Sequence, residues 1–247
     1  MVFIKAYLIF LLLCQRLRSL FKSKSSSFIE KGYSLVDFTN QSFDIKNKSL
    51  YSGNNHHLND IRYFGAQYID ESAYLFHHSK EIYTIFKNLG VTIPLKNETT
   101  LFGFLEYKDG ISNGSGGGWH IDSWIFQPKA MVYLSDVSTE NGPFQYIEGS
   151  HRFFVQLYIF LNYKLRKRTR ITDTLVNKVL NRFPNCRLIE FTGNKGKTIL
   201  FDPRGIHRGK PILAGKRLAL TNYYIPKFYP TTSIGKIDLK EKSRNDK

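Results

Sequence analysis

The stretch Gly116, Gly117, Gly118, Trp119, His120, Ile121, Asp122, Ser123, Trp124 carries the strongest chemical signal in the chain. Read as part of a strand over Trp119 to Phe126, its period of two places His120 and Asp122 on one face and turns Ile121 to the other. An imidazole and a carboxylate then converge without a special backbone, beside a glycine-rich loop that permits close approach. Taken alone, His-x-Asp is more simply a hydrogen-bonded strand histidine with an aspartate on the rim.

Outward from this stretch, short apolar runs recur at Leu101 to Tyr107, Ala130 to Leu134, Arg187 to Phe191, Thr198 to Phe201 and Arg217 to Tyr224. Gly, Asn, Asp and Pro separate many of them, the pattern of a core of short strands. Helical spacing appears at Glu71 to Asn88, Phe153 to Leu161 and Ile171 to Asn181. The last two interrupt the strand series without a Gly/Ser linker, so they read as an insertion over 151–186. The fold class expected is mainly β with flanking helices, one sandwich or distorted barrel with helices on one side.

The 247 residues include 36 Lys plus Arg against 20 Asp plus Glu, a formal charge of +16, and 42% are hydrophobic. That hydrophobic fraction excludes a disordered basic tail. Two cysteines, Cys14 and Cys186, exclude a disulfide scaffold and a four-cysteine metal site, leaving a metal to nitrogen and oxygen ligands. The charge favours an anionic partner, yet no DNA-reading motif or RNA-binding signature accompanies the basic run Lys164, Arg166, Lys167, Arg168, Arg170. Nucleic acid is therefore not an expected partner. Residues 1–24 form an apolar and basic extension whose apolar part, Ala6 to Cys14, is too short to span a bilayer. It suits a packed helix or one lying on an anionic membrane surface, so a cytoplasmic protein with peripheral membrane contact is expected. Residues 25–235 are expected to form a single domain that includes the insertion, and 236–247 a polar tail. Residues 23–60 read as largely loop.

A second signal lies at Gly205, Ile206, His207 and Arg208, after the strand run Thr198 to Phe201, with Arg217 ten positions beyond His207. His120, Asp122 and His207 have the composition of the two-histidine, one-carboxylate triad of non-haem iron, which leaves coordination positions for other ligands. An arginine fork such as Arg217 suits a carboxylate, although it reads equally as a surface ion pair. The same residues also fit a zinc hydrolase of the same β fold, or incidental placement in a noncatalytic basic binding protein.

Three segments together resemble the phytanoyl-CoA dioxygenase-like branch of Fe(II)/2-oxoglutarate-dependent oxygenases: GGGWHIDSW, NGPFQYIEGSH from Asn141 to His151, and GIHRGKPILAGKRLAL from Gly205 to Leu220. The resemblance covers about Leu101 to Tyr224. It implies a double-stranded β-helix, a cupin-like jelly roll. It also implies that His120, Asp122 and His207 are catalytic iron ligands and that Arg217 binds the far carboxylate of 2-oxoglutarate. The implied activity is a dioxygenase that uses O2 to hydroxylate an unactivated carbon of a small organic substrate, anionic or carrier-linked, while 2-oxoglutarate becomes succinate and CO2. Asp122 argues against the related halogenases, which generally lack that carboxylate. His151 is expected to order a wall or loop rather than bind iron.

Overall fold

The computed structural model describes residues 27–37, 55–57, 59–108, 110, 114, 116–162 and 169–245. The amino-terminal extension and most of the basic run 164–170 lie outside them. In order the elements are α1 (Ser27–Lys31), β1 (Tyr33–Asp37), β2 (Asn55–His57), β3 (Asp60–Phe64), α2 (Glu71–His77), α3 (Lys80–Asn88), β4 (Leu95–Glu106), β5 (Lys129–Tyr133), β6 (Phe144–Glu148), α4 (Phe153–Asn162), α5 (Asp173–Arg182), β7 (Arg187–Phe191), β8 (Lys197–Phe201), β9 (His207–Gly209), β10 (Lys216–Pro226) and α6 (Ser233–Asn245). Helix α6 occupies most of the stretch read as a polar tail. Among the described residues no helix is long and apolar enough to cross a membrane.

The strands form two antiparallel sheets, ordered β1-β8-β5-β10-β4-β3-β2 and β7-β6-β9. Both end in edges rather than closing on themselves, and helices build two of the three cores. The expected mainly β jelly roll is thus corrected to a mixed α/β fold with two open antiparallel sheets. One physical reason lies in the segment Trp119 to Phe126, which is not a strand. Its backbone donors are satisfied in three different places: His120 N–H by His207 O at 3.0 Å, Ile121 N–H by Thr169 O at 3.0 Å and Asp122 N–H by Pro203 O at 3.0 Å. These bonds satisfy the backbone without extending a ladder around the sheet.

Strand alternation divides the large sheet cleanly. Ala130, Val132, Leu200, Leu218 and Leu220 face outward and bury against Phe28 of α1, Ala73 and Phe76 of α2, and Ile82 and Phe86 of α3. Met131, Tyr133, Ile199, Phe201 and Ala219 face inward, against Phe144, Tyr146 and Phe191 of the small sheet. The Tyr133 hydroxyl ties the two sheets, donating to Phe191 O at 2.9 Å and accepting from Phe144 N–H at 3.1 Å. A third core joins α4 and α5, through Val155, Ile159, Leu175, Val176 and Val179, to Trp119, Ile121 and Ile206.

The helix expected over Glu71 to Asn88 is two helices, broken at His78 and Ser79. Asp70 caps the first by accepting from Ala73 N–H at 3.0 Å, and Ser79 has an extended ψ of 110°. At the end of α2, His77 packs with its Nδ1 2.9 Å from Thr100 Oγ1 and 3.1 Å from Asn97 Nδ2. Burial, with a smaller push from His78, pulls its pKa down to about 4. The unfolded chain therefore binds more protons than the fold between about pH 6.5 and 4, and stability falls as the pH drops through that window. The loss should be on the order of 3 kcal/mol at most. Urea midpoints at pH 7 and 4.5 should show a shallower acid decline for His77→Gln than for the wild type.

Candidate metal centre and cosubstrate cavity

Two Gly-x-His units build the centre. In Gly118-Trp119-His120 and in Gly205-Ile206-His207, the histidine Nδ1–H donates to the carbonyl two residues back, at 2.7 Å for Gly118 O and 2.9 Å for Gly205 O. The middle residues, Trp119 and Ile206, are buried in the core against α4 and α5. His120 and His207 are then paired across a two-bond bridge, N–H to O at 3.0 and 2.9 Å, with ring centroids 4.3 Å apart. Since each Nδ1 is occupied as a donor, each Nε2 keeps its lone pair for a metal.

Both Nε2 atoms meet Asp122, His120 at 3.5 Å from Oδ1 and His207 at 3.7 Å from Oδ2. One ligand atom from each of the three residues lies within 4.8 Å of the other two, a group that could hold a metal ion. Burial pulls the His207 pKa down to about 3, with His120 adding to the shift. Burial also lowers His120, partly offset by Asp122. Burial alone would raise the Asp122 carboxyl, but Lys129, His207 and His120 outweigh it and hold it well below the usual carboxylate range. Two neutral imidazoles and one carboxylate form an N,N,O donor set suited to a divalent first-row ion. Asp122 Oδ2 is buried and lacks a well-directed hydrogen bond, although the Lys129 ammonium stands 2.5 Å away as an ion pair.

Arg217 belongs to the opposite sheet. The ten-residue interval after His207 carries the chain from β9 of the small sheet to β10 of the large one, so the two residues face each other's sheets instead of pairing. The Arg217 guanidinium donates to Gly142 O. It also packs beside Gly209, where an added Cβ would lie 3.3 Å from one guanidinium nitrogen. Gly209 is two residues beyond His207, about 7 Å along an extended strand, a spacing commensurate with a short dicarboxylate. Arg217, Gly209, Phe144, Met131, Thr221, Gly116 and Gly117 contribute to one cavity wall, together with Asp60 and Arg62.

The aromatic residues around the centre divide. Phe144 lines the cavity, whereas Tyr133 and Trp119 are core residues and Trp124 packs edge-on against Phe160. His151 stands outside the triad; its Nε2 hydrogen-bonds Ile29 O at 2.9 Å and anchors α1. Lys129 was not signalled by the sequence patterns that single out the triad, although a lysine opening the apolar run Lys129–Tyr133 is a visible anomaly. Its ammonium lies between Asp122 and the Tyr223 ring, 4.0 Å from the ring centroid. Arg62 was missed for the same reason: only the third dimension gives it neighbours.

Gly205 has no room for a side chain, because an added Cβ would lie 2.0 Å from the Tyr146 hydroxyl oxygen. That hydroxyl is fixed by donating to Asp202 O at 2.9 Å. Gly205→Ala should cost about 1–3 kcal/mol in stability through overpacking. Because the Gly205 carbonyl orients His207, Fe(II) affinity should fall with it, as read by paired thermal melts and metal titrations.

A two-histidine, one-carboxylate centre is the donor set of non-haem Fe(II) oxygenases that use 2-oxoglutarate. The sequence profile of Phytanoyl-CoA dioxygenase (PhyH) matches residues 108–218, a little under half of the chain. The fold is similar to that of HygX from Streptomyces hygroscopicus, solved with nickel, 2-oxoglutarate and hygromycin B, at 18% identity and a TM-score of 0.53 over 82% of this chain and 86% of that one. It is also similar to the epimerase SnoN, solved with Fe3+, alpha ketoglutarate and nogalamycin RO, at 14% identity and a TM-score of 0.63 over 86% of each chain. EctD from S. alaskensis with bound Fe shares 15% identity and a TM-score of 0.57 over 80% of this chain and 74% of its own. No curated protein gives a significant match.

Proposed function

We propose that this oxygenase hydroxylates an unactivated carbon of a small organic substrate, with His120, Asp122 and His207 holding Fe(II) and Arg217 holding the far carboxylate of 2-oxoglutarate. The observation that carries the assignment is the convergence of both free Nε2 atoms on Asp122, each imidazole oriented by its own Gly carbonyl. When bound, iron and 2-oxoglutarate supply O2-dependent oxidation of a C–H bond, with succinate and CO2 as coproducts.

The chain supplies orientation and charge. The buried, neutral imidazoles need no deprotonation before ligating a metal. Asp122 provides the negative charge, and Lys129 holds its Oδ2, keeping it from swinging away. The Arg217 fork, with one arm on Gly142 O, is preorganised for a carboxylate and oriented before it arrives. Phe144 and Met131 form an apolar wall between these ends, limiting the water that reaches the centre. The small organic ligands of HygX and SnoN support a small-molecule substrate.

Anaerobic addition of Fe(II) and then 2-oxoglutarate to the purified protein tests the assignment. A weak visible metal-to-ligand absorption, followed on admitting O2 by succinate formation, is the expected result. A folded protein that shows neither, or that prefers zinc and hydrolyses its substrate, is not this enzyme.

A further inference from the structure

Arg62 is half-buried on the wall of this cavity, and no described residue accepts a hydrogen bond from its guanidinium. It stands on β3 opposite Gly103 of β4, which in turn faces Ala219 of β10. The two neighbours on its row are thus the two smallest residue types, and the space before the guanidinium stays open as part of the cavity that Arg217 also lines. Among the described residues Arg62 makes no hydrogen bond or ion pair; its one close partner is the Phe64 ring, 6.0 Å from the guanidinium carbon. The neighbouring cations differ. Lys129 is paired with Asp122 at 2.5 Å, Lys210 with Glu190 at 3.1 Å, and Arg217 donates to Gly142 O.

A five-donor cation on a cavity wall, without an acceptor among the described residues, keeps its donors for an anionic ligand. Arg62 also acts electrostatically on Arg217, so two guanidiniums share one cavity wall. The site proposed above would add a divalent ion and a doubly charged cosubstrate, which cancel each other. Of the charged side chains that line the cavity, Lys210 is paired with Glu190 and Asp60 answers one of the two arginines, leaving one positive charge over. Arg217 already offers its remaining donors to the single far carboxylate of 2-oxoglutarate.

Resting on that reading of the site, we infer that Arg62 receives an oxyanion carried by the prime substrate, a carboxylate or a phosphate monoester, and so selects for acids over neutral analogues of the same shape.

The test uses the anaerobic Fe(II)·2-oxoglutarate protein and three probes, hexanoate, hexyl phosphate and hexanamide. Failure of the iron and 2-oxoglutarate reading shows first and separately, as a wild-type protein with no metal-to-ligand absorption. Given that absorption, Arg62→Met should keep 2-oxoglutarate affinity within about threefold, because a single charge outside the Arg217 fork acts weakly compared with a direct pair of hydrogen bonds. At millimolar concentrations, one or both anionic probes should raise the wild-type melting temperature by a few degrees. They should perturb the absorption band as well, while hexanamide does neither. The response should vanish in Arg62→Met and persist, weakened, in Arg62→Lys, which preserves the charge if the methionine variant fails to fold. Which of the two anions acts decides between carboxylate and phosphate. In the absence of any probe, Arg62→Met should melt at or above the wild-type temperature, since an unanswered cation has been removed. Equal responses to acid and amide, no response to either acid, an undiminished acid response in Arg62→Met, or a loss of 2-oxoglutarate affinity as large as that of Arg217→Met would each overturn the inference.

Discussion

Asp122→Ala is expected to abolish Fe(II) binding and 2-oxoglutarate turnover, and to destabilise the protein at the same time. The first effect follows from removing the one anionic donor of an N,N,O set. Loss of an outer partner of a metal ligand already costs roughly 10- to 100-fold in affinity, and loss of the ligand itself should exceed that. The second effect belongs to Lys129, whose side chain is about 10% exposed and whose ammonium would be left facing two imidazoles and an aromatic ring. Removing one partner of a buried ion pair typically costs about 3–5 kcal/mol. The two effects separate in the double variant Asp122→Ala, Lys129→Met, which should recover most of the lost stability in denaturant titrations and none of the iron. A double variant that regained iron would show that Asp122 is not a ligand. His120→Ala and His207→Ala should lose iron without stranding Lys129, so their melts should be milder than that of Asp122→Ala.

Arg217→Met should leave Fe(II) affinity close to wild type and weaken 2-oxoglutarate by roughly 30- to 100-fold, about 2–3 kcal/mol, the scale of a charge-assisted pair of hydrogen bonds. Methionine preserves much of the packing beside Gly209 and removes the fork. Anaerobic titration of the metal-to-ligand absorption reads the affinity directly. Equal loss of iron and cosubstrate would mean that Arg217 acts through the fold. Arg217→Lys should fall between, since a point charge meets a carboxylate without bidentate geometry.

The centre was more legible in the sequence than the architecture around it. The two Gly-x-His units are local, and local geometry orients each imidazole, so His120 and His207 could be found from short stretches. The strands at Arg187–Phe191 and Lys197–Phe201 were likewise readable from apolar runs bounded by turns. Trp119 to Phe126 misled because alternation describes which side chains are apolar, whereas the hydrogen bonds of His120, Ile121 and Asp122 go to three distant segments. β6 was visible only as a motif, since all five of its residues are buried and it shows no alternation. β1 lay hidden in a stretch dominated by polar residues. The sheet boundaries depend on which strand pairs with which, and that information is tertiary. Lys129 and Arg62 were silent for a related reason: a lysine or arginine gains meaning from the charge it faces, here residues brought near by packing.

The backbones of both histidines rest on the helix pair α4 and α5, through Trp119 and Ile206. Metal release and helix opening should therefore share a kinetic step. At saturating chelator, the rate of iron loss should cease to depend on chelator concentration and level off at the opening rate of α4 and α5, making the ion a clock for the local unfolding of two helices that never touch it.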